Sequence, residues 1–312
     1  MATPARRLAA NARGAWYVDE RCIDCGTCQW MAPAVFDEHS GKARVHAQPA
    51  DVGAAELAAA ALLSCPTASI GIEPADAADR PLSRFAPGGA ELARIAATFP
   101  RPLAPDVLHC GFHSEATYGA ASWLLRRRDG NVLIDVPRFT PTLVERIAAL
   151  GGVRWLFLTH RDDVAGHDQF AARFGCERIL HRGDLEPATR DVERVVDGEE
   201  PQELAPDLLL LPTPGHTAGS LCLLHRGGGG HLFTGDHLAW DARLGHPIGF
   251  PEFCEDSWPR AIASTRRLAA MAQHGTLDFD WLIPGHGAPG RTPPRGAANA
   301  LSRAVDWMEA RR

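Results

Sequence analysis

Two stretches of the chain carry residues whose types and spacing suit metals. In "RCIDCGTCQWMAP" Cys22, Cys25 and Cys28 stand at C-x2-C-x2-C spacing, and "SCPTASI" adds Cys65 followed by Pro66. Three thiolates so close together wrap one corner of an iron–sulfur cube, and a distant Cys-Pro closes it. Zinc, the alternative, prefers two separated C-x2-C pairs and fits a triplet plus one lone cysteine poorly. The second stretch, "LTHRDDVAGH" from Leu158 to His167, follows an apolar run and packs two histidines and two aspartates together.

Other candidate ligands recur in one context, an apolar strand followed by a small-residue turn. His160 follows "LFLT", His216 follows "LLLLPTPG", Asp236 follows "LFTG" and His286 follows "WLIPG". Ligands at strand ends are held rigidly and open toward a cleft, as a catalytic metal requires. A single such histidine would be an ordinary polar loop residue. The recurrence is the signal. Asp163 and His167 are four apart, so a helical turn would bring them onto one face. His167 is then expected either to bend back as a ligand, with Asp163 orienting it or binding directly, or merely to flank the following helix.

The elements that position these residues are legible in outline. "YGAASWLLRRRDGNVLIDV" reads as a β-hairpin with a type I′ signal at Asp129-Gly130. "TPTLVERIAALG" has helical periodicity, with Thr140 as N-cap and Gly151 as terminator. "VRWLFLTH", "ERILHR", "DLLLLPTPGH", "GSLCLLHR", "GGHLFTGDH" and "DFDWLIPGHG" read as strands, "HDQFAARFG" and 258–273 as helices, and "GAANALSRAVDWMEARR" as a closing amphipathic helix. That is an α/β pattern with strands ending in histidines. Residues 15–74 form the cysteine domain and 107–312 the large domain. Residues 75–106, punctuated by Pro and Gly, form a linker with a short helix near Ala90–Thr98, too proline-rich to flop freely, so the two domains should dock.

With 312 residues the chain is long enough for two cores. A formal charge of −6, with no Lys/Arg run longer than Arg126–Arg128, gives no footprint for nucleic acid or anionic lipid. No window approaches a membrane span. The basic first 16 residues faintly resemble a transit peptide, but a disordered arm is the simpler expectation. Four of the 8 cysteines cluster early and the others, Cys110, Cys176, Cys222 and Cys254, are scattered singly. That usage implies metal at one end, isolated thiols elsewhere and a reducing cytoplasm.

The cysteine segment resembles the bacterial ferredoxins, whose two-cluster members repeat C-x2-C-x2-C-x3-C-P in each half. Here Ala32, still followed by Pro33, takes one ligand slot of a second cluster, and Ala55, Ala58 and Ala61 take the other three. The resemblance therefore implies one [4Fe–4S] cluster held by Cys22, Cys25, Cys28 and Cys65. Its common use is one-electron transfer, with a purely structural staple as the alternative. A small domain of this kind also gains folding energy from its metal.

Beyond residue 107 "TPGHTAGS", "FTGD" and "PGHG", in that order, are similar to the later motifs of the metallo-β-lactamase fold, an αββα sandwich. The family's leading motif is T-H-x-H-x-D-H. Thr159 and His160 match it, Asp162 replaces the second histidine, and Val164 and Ala165 stand where an aspartate and a histidine belong. The resemblance implies a first metal at His160, Asp162, His216 and Asp236, with Asp236 bridging and His286 serving a second, depleted site. A carboxylate in place of imidazole moves a site from zinc toward iron or manganese. Asp135 resembles the family's supporting carboxylate behind the ligands. His113 and Tyr118, in "CGFHSEATYGAAS", are candidate substrate contacts at the cleft rim, beside Asp162 and Asp163. His181 is a weaker pocket candidate. "GHPIGFPEFCEDSW" is a candidate lid, and Cys254 within it a possible reactive thiol, though such cysteines are usually inert.

Three functions are compatible with these residues. The prevalence of hydrolases in the fold puts first a metal-dependent hydrolase, acting on an ester or thioester through metal-activated water. Nearly level is a non-haem iron oxidoreductase fed with electrons by the ferredoxin domain. Persulfide dioxygenases and flavodiiron proteins, which share the fold, use similar ligand positions. Third is a non-catalytic sensor or carrier. A small-molecule substrate, and a redox donor or acceptor protein, are the expected partners.

Overall fold

A computed structural model describes residues 1–73 and 80–311. In the large domain two sheets lie face to face. The first runs Arg194–Val196, Glu177–His181, Trp155–Phe157, Val132–Ile134, Trp123–Leu125, Val107–His109 and Arg101–Ala104 across its seven strands. Its first four strands are mutually parallel and the remaining pairings antiparallel. The second sheet has six strands, ordered Gln202–Ala205, Leu208–Pro212, Leu221–His225, His231–Gly235, Trp281–Pro284 and Gly290–Arg291.

The near-continuous apolar strands follow from burial on both faces. Leu208 and Leu210 point between the sheets, against Trp123, Ile134, Phe157 and Phe233. Leu209 and Leu211 point outward, beneath Ile262, Leu268, Leu301 and Met308 of the helices Trp258–Gln273 and Ala297–Glu309. On the opposite outer face Leu133, Leu156 and Leu180 pack under Leu143, Ile147 and Phe170 of the helices Pro141–Ala149 and His167–Phe174. This is the αββα sandwich. Truncating one of these buried leucines to alanine costs about 2–5 kcal/mol. Trp123 stitches the two sheets with its indole N–H, which donates to the Pro284 carbonyl at 2.9 Å.

In the N-terminal domain Trp16–Val18 pairs antiparallel with Ile70–Ile72, beside the hairpin Phe36–Glu38/Ala43–Val45 and the helices Thr27–Met31 and Val52–Ser64. Ala55, Ala58 and Ala61, at the positions where ligands of a second cluster would stand, are buried on the longer helix and pack in the core. The first residues are not a loose arm. Leu8 N–H donates to Val18 O, and the Asn11 side chain bonds both Val18 and Val45 backbones.

The domains dock through one apolar core that joins Ala58 and Phe85 to Phe99, Leu108 and Phe112, and Arg138 donates to Leu63 O at 2.9 Å. Within the stretch expected to be linker, Ala90–Ala96 is helical, and Arg101–Ala104 is the edge strand of the first sheet. Residues 74–79 of that stretch lie outside the described residues. We propose the domain boundary between that helix and that strand. The turn at Asp129-Gly130 is not type I′. Only Gly130 has positive φ, whereas that turn needs it at both central residues. Among the described residues no helix is long and apolar enough to cross a membrane.

Candidate metal and cluster sites

Four strand ends deliver the large domain's candidate ligands to one edge of the sandwich. His160 follows Trp155–Phe157 of the first sheet, while His216, Asp236 and His286 follow strands of the second. His160 Nε2 lies 3.6 Å from Asp162 Oδ2 and 3.8 Å from Asp236 Oδ2. His216 Nε2 lies 3.5 Å from Asp162 Oδ2 and 3.8 Å from Asp236 Oδ2. Both imidazole Nε2 atoms are buried without a hydrogen-bond partner, which is costly unless something else binds them. His160, His216 and Asp236 can share one ion with all donor atoms within 4.8 Å of one another.

A second set, Asp163, Asp236 and His286, meets the same distance limit. Both Asp163 carboxylate oxygens are buried and unpartnered. Asp236 stands in both sets, and both its oxygens lie 2.8 Å from His286 Nδ1. The expected bending back of His167 does not occur. Its Nδ1 accepts from Arg178 and its Nε2 donates to Ala188 O, so both nitrogens are occupied outside the site. Asp163, not His167, completes the second set.

The charges are those of a site built for cations. Burial raises Asp163 well above the usual carboxylate range, and the nearby Asp236 adds to it. Burial would also raise Asp236, but His286, His160 and His216 outweigh it and hold that carboxyl low. Burial disfavours the charged form of His286, yet Asp236 and Asp163 push it up to about 10. Together the two sets offer three imidazoles and, with Asp162, three carboxylates. Such a mixture of nitrogen and oxygen donors can hold a divalent first-row metal such as zinc, iron or manganese.

Asp135 sits one step behind the candidate ligand His160. It accepts from Thr159 N at 2.8 Å and from Thr159 Oγ1 at 3.0 Å, and Thr159 Oγ1 lies 2.9 Å from His160 Nδ1. With the Thr159 hydroxyl donating to the carboxylate, His160 Nδ1–H must donate to the hydroxyl. Nε2 is thereby left with a free lone pair facing the site. Asp184, which no motif singled out, holds the His216 loop through Thr217 Oγ1 at 2.6 Å and Gly219 N at 2.8 Å. Its one signal was its place just after the strand Glu177–His181, the context shared by the ligands. Gly285 leaves room for both metal sets, since a Cβ there would stand 2.8 Å from Asp236 Oδ1.

The other candidates separate cleanly. Tyr118 lines the cleft and is 69% exposed. His113 does not reach the rim. It is fully buried at the domain interface, between Thr27, Gly119 and His109. His181 is tied to Gly183 N and Gly198 O and does not line the cleft. Phe250, Glu252, Phe253, Cys254 and Glu255 of the expected lid do line it. The Cys254 thiol donates to Gly215 O at 2.9 Å, and burial raises its pKa, so it is an unreactive thiol.

In the N-terminal domain Cys22, Cys25, Cys28 and Cys65 are all free and line one pocket. Backbone N–H groups of Asp24, Ala43 and Ser69 point at the Cys22 and Cys65 sulfurs from 3.4, 3.3 and 3.2 Å. Converging sulfurs with N–H donors fit an iron–sulfur cluster. The cluster loop also borders the metal cleft. Ile23, Asp24, Cys25 and Gly26 line the same cavity of about 990 Å³ as Asp162, Asp163, His216, Asp236 and His286.

Comparison with known proteins agrees with both halves. Residues 18–72 match the family model of the 4Fe-4S single cluster domain of Ferredoxin I. The crystal structure of DIM-1 metallo-β-lactamase superposes with a TM-score of 0.52 at 16% identity, covering 68% of this chain and 97% of that chain. TMB-1 superposes with a TM-score of 0.52 at 15% identity, over 68% of this chain and 96% of that one. At such identities the likeness establishes fold and not activity. The chain joins a single-cluster ferredoxin domain to a domain with the metallo-β-lactamase fold.

Proposed function

We propose that the chain is a redox metalloenzyme, in which the ferredoxin domain supplies electrons to iron held by the large domain. The observation that carries this reading is the shared cleft. Cys25, a cluster ligand, lines the same cavity as His216, Asp236 and His286. Hydrolysis gives no reason for that contact. The ligand chemistry agrees, because extra carboxylates favour iron and the more oxidised state of a bound metal.

His160, Asp162, His216 and Asp236 would hold one ion, and Asp163, Asp236 and His286 a second. Bound there, iron supplies one-electron chemistry toward a small oxygen, sulfur or nitrogen species. The chain's own residues shape access. Tyr118 and Phe253 form exposed aromatic walls, and Asp24, Glu115 and Glu252 an acidic rim. Among the described residues no Lys or Arg lines the cleft, and Arg161 just outside it is tied to Glu255 at 2.6 Å. That electrostatic setting suits a small neutral substrate better than an anionic one.

Turnover with a low-potential electron donor in Cys25→Ala tests the reading. Electron-linked reduction of dioxygen or nitric oxide is expected to vanish while large-domain metal is retained. Undiminished turnover would sink the cluster-fed mechanism. The second reading, metal-dependent hydrolysis of an ester or thioester, is favoured by His160, Asp162, His216 and Asp236, which could hold one ion beside the cleft. It predicts activity that is indifferent to Cys25→Ala.

A further inference from the structure

We infer that the turn from His113 to Gly119 is the electron bridge between the cluster and the large-domain metal site, an inference that rests on the redox reading above. At one end of the turn, Gly119 lies directly against the cluster loop. A Cβ on it would stand 2.8 Å from Cys25 Cβ, 2.9 Å from Pro66 Cγ and 3.3 Å from Cys25 Sγ. Only a residue without a side chain permits that approach.

At the other end stands the neighbouring residue. The Tyr118 carbonyl accepts from His286 Nε2 at 3.2 Å, while His286 Nδ1 faces Asp236. From the Cys25 side chain to the His286 imidazole the path is one close approach at Gly119, one peptide unit and one hydrogen bond. Tyr118 and Gly119 both have positive φ, 49° and 87°. A non-glycine residue there carries strain of about 1–3 kcal/mol, which persists only when its surroundings hold it.

His113 supplies that hold. Its Nδ1–H donates to Gly119 O at 2.9 Å and lies 3.1 Å from Thr27 Oγ1, which is itself 3.5 Å from Cys25 Sγ. Because Nδ1 carries the proton, His113 Nε2 is the acceptor of the 2.8 Å bond from His109 Nε2–H. Burial pushes His113 down to about 3, so the ring is neutral and this pattern is fixed. In the transfer one electron leaves the reduced cluster and lowers ferric iron in the large domain to ferrous. A low-potential reduced flavin or ferredoxin then recharges the cluster. No bond is made or broken in the bridge.

The test uses the full chain carrying its cluster and large-domain iron. Flash photoreduction by a deazaflavin reduces the cluster, and visible absorbance reports its reoxidation. In the wild type reoxidation is expected at a rate independent of protein concentration. Gly119→Ala must separate Cys25 from the turn, so its rate is expected to fall about tenfold or more with cluster and iron content unchanged. His113→Phe releases Gly119 and Thr27 without adding bulk at the Cys25 contact, is expected to slow transfer likewise, and serves where the alanine variant loses its cluster. In the wild type itself, the reduced cluster's EPR signal is expected to relax faster when the large-domain site holds a paramagnetic ion than when it has been loaded with zinc. Wild-type rates in either variant, or an EPR signal indifferent to the ion, would overturn the bridge. Absence of internal reoxidation in the wild type would instead overturn the redox reading on which it rests.

Discussion

Thr159→Val isolates the chain of hydrogen bonds behind the first metal ligand. The change keeps the side-chain shape and removes one hydroxyl. That hydroxyl donates to Asp135 at 3.0 Å and accepts from His160 Nδ1 at 2.9 Å, and all three residues are buried. Without it the Asp135 carboxylate keeps only the 2.8 Å bond from Thr159 N. His160 Nδ1–H is left without a partner, so the tautomer that aims the Nε2 lone pair at the metal is no longer enforced. Loss of such an outer contact weakens metal binding by about 10–100-fold, or roughly 1.4–2.7 kcal/mol. The stranded buried groups independently account for about 1–3 kcal/mol, so the two estimates agree. Competition against a graded chelator measures the affinity directly. Acid-labile sulfide should stay at the wild-type level, because Thr159 touches no cluster residue. Wild-type metal affinity in a folded Thr159→Val protein would refute the idea that this relay orients His160.

Two other expectations follow from the site and the core. Asp162→His restores an imidazole and should raise zinc retention while lowering electron-linked turnover at least about tenfold; undiminished turnover would favour hydrolysis. Stability should fall in acid because burial holds His109 well below its ordinary range and His113 and His237 at about 3. These rings are neutral when folded and titrate near pH 6.5 when unfolded, so their contribution is complete above that pH. It is lost as pH falls toward the folded values, by about 1.4 kcal/mol per pH unit for each histidine. Denaturation midpoints across this range check the slope, and His237→Gln should remove one histidine's share. A midpoint flat with pH would contradict it.

Much of the site was legible because its logic is local. A strand that is apolar on both faces, followed by a small-residue turn and a ligand, announces His160, His216, Asp236 and His286 without any knowledge of the partner sheet. Cys22, Cys25 and Cys28 were legible from their own spacing, and Cys65 from the proline that follows it. What failed depended on where a helix starts or on distant pairings. The same-face argument for Asp163 and His167 needed a helix running through both. Gly166, at φ 89°, instead begins the helix at His167, which leaves Asp163 in the turn facing the metals and swings His167 away. His113 looked like a rim residue because its partner Thr27 lies 86 residues away in another domain. Gly119 carried no signal, since its role is to leave space for side chains that only the fold brings near. The ordered N-terminal arm rests on Asn11, one polar residue satisfying four backbone contacts, which composition does not reveal.

Metal analysis of the anaerobically purified chain tests the central claim most directly. Iron, zinc, manganese and acid-labile sulfide are counted per chain in the same sample. A redox centre in the large domain predicts iron in excess of what the sulfide accounts for, with the excess lost in His160→Ala and the sulfide unchanged. Iron matched by sulfide, accompanied by zinc that disappears in the same variant, would contradict it and leave a hydrolase that carries an unrelated cluster.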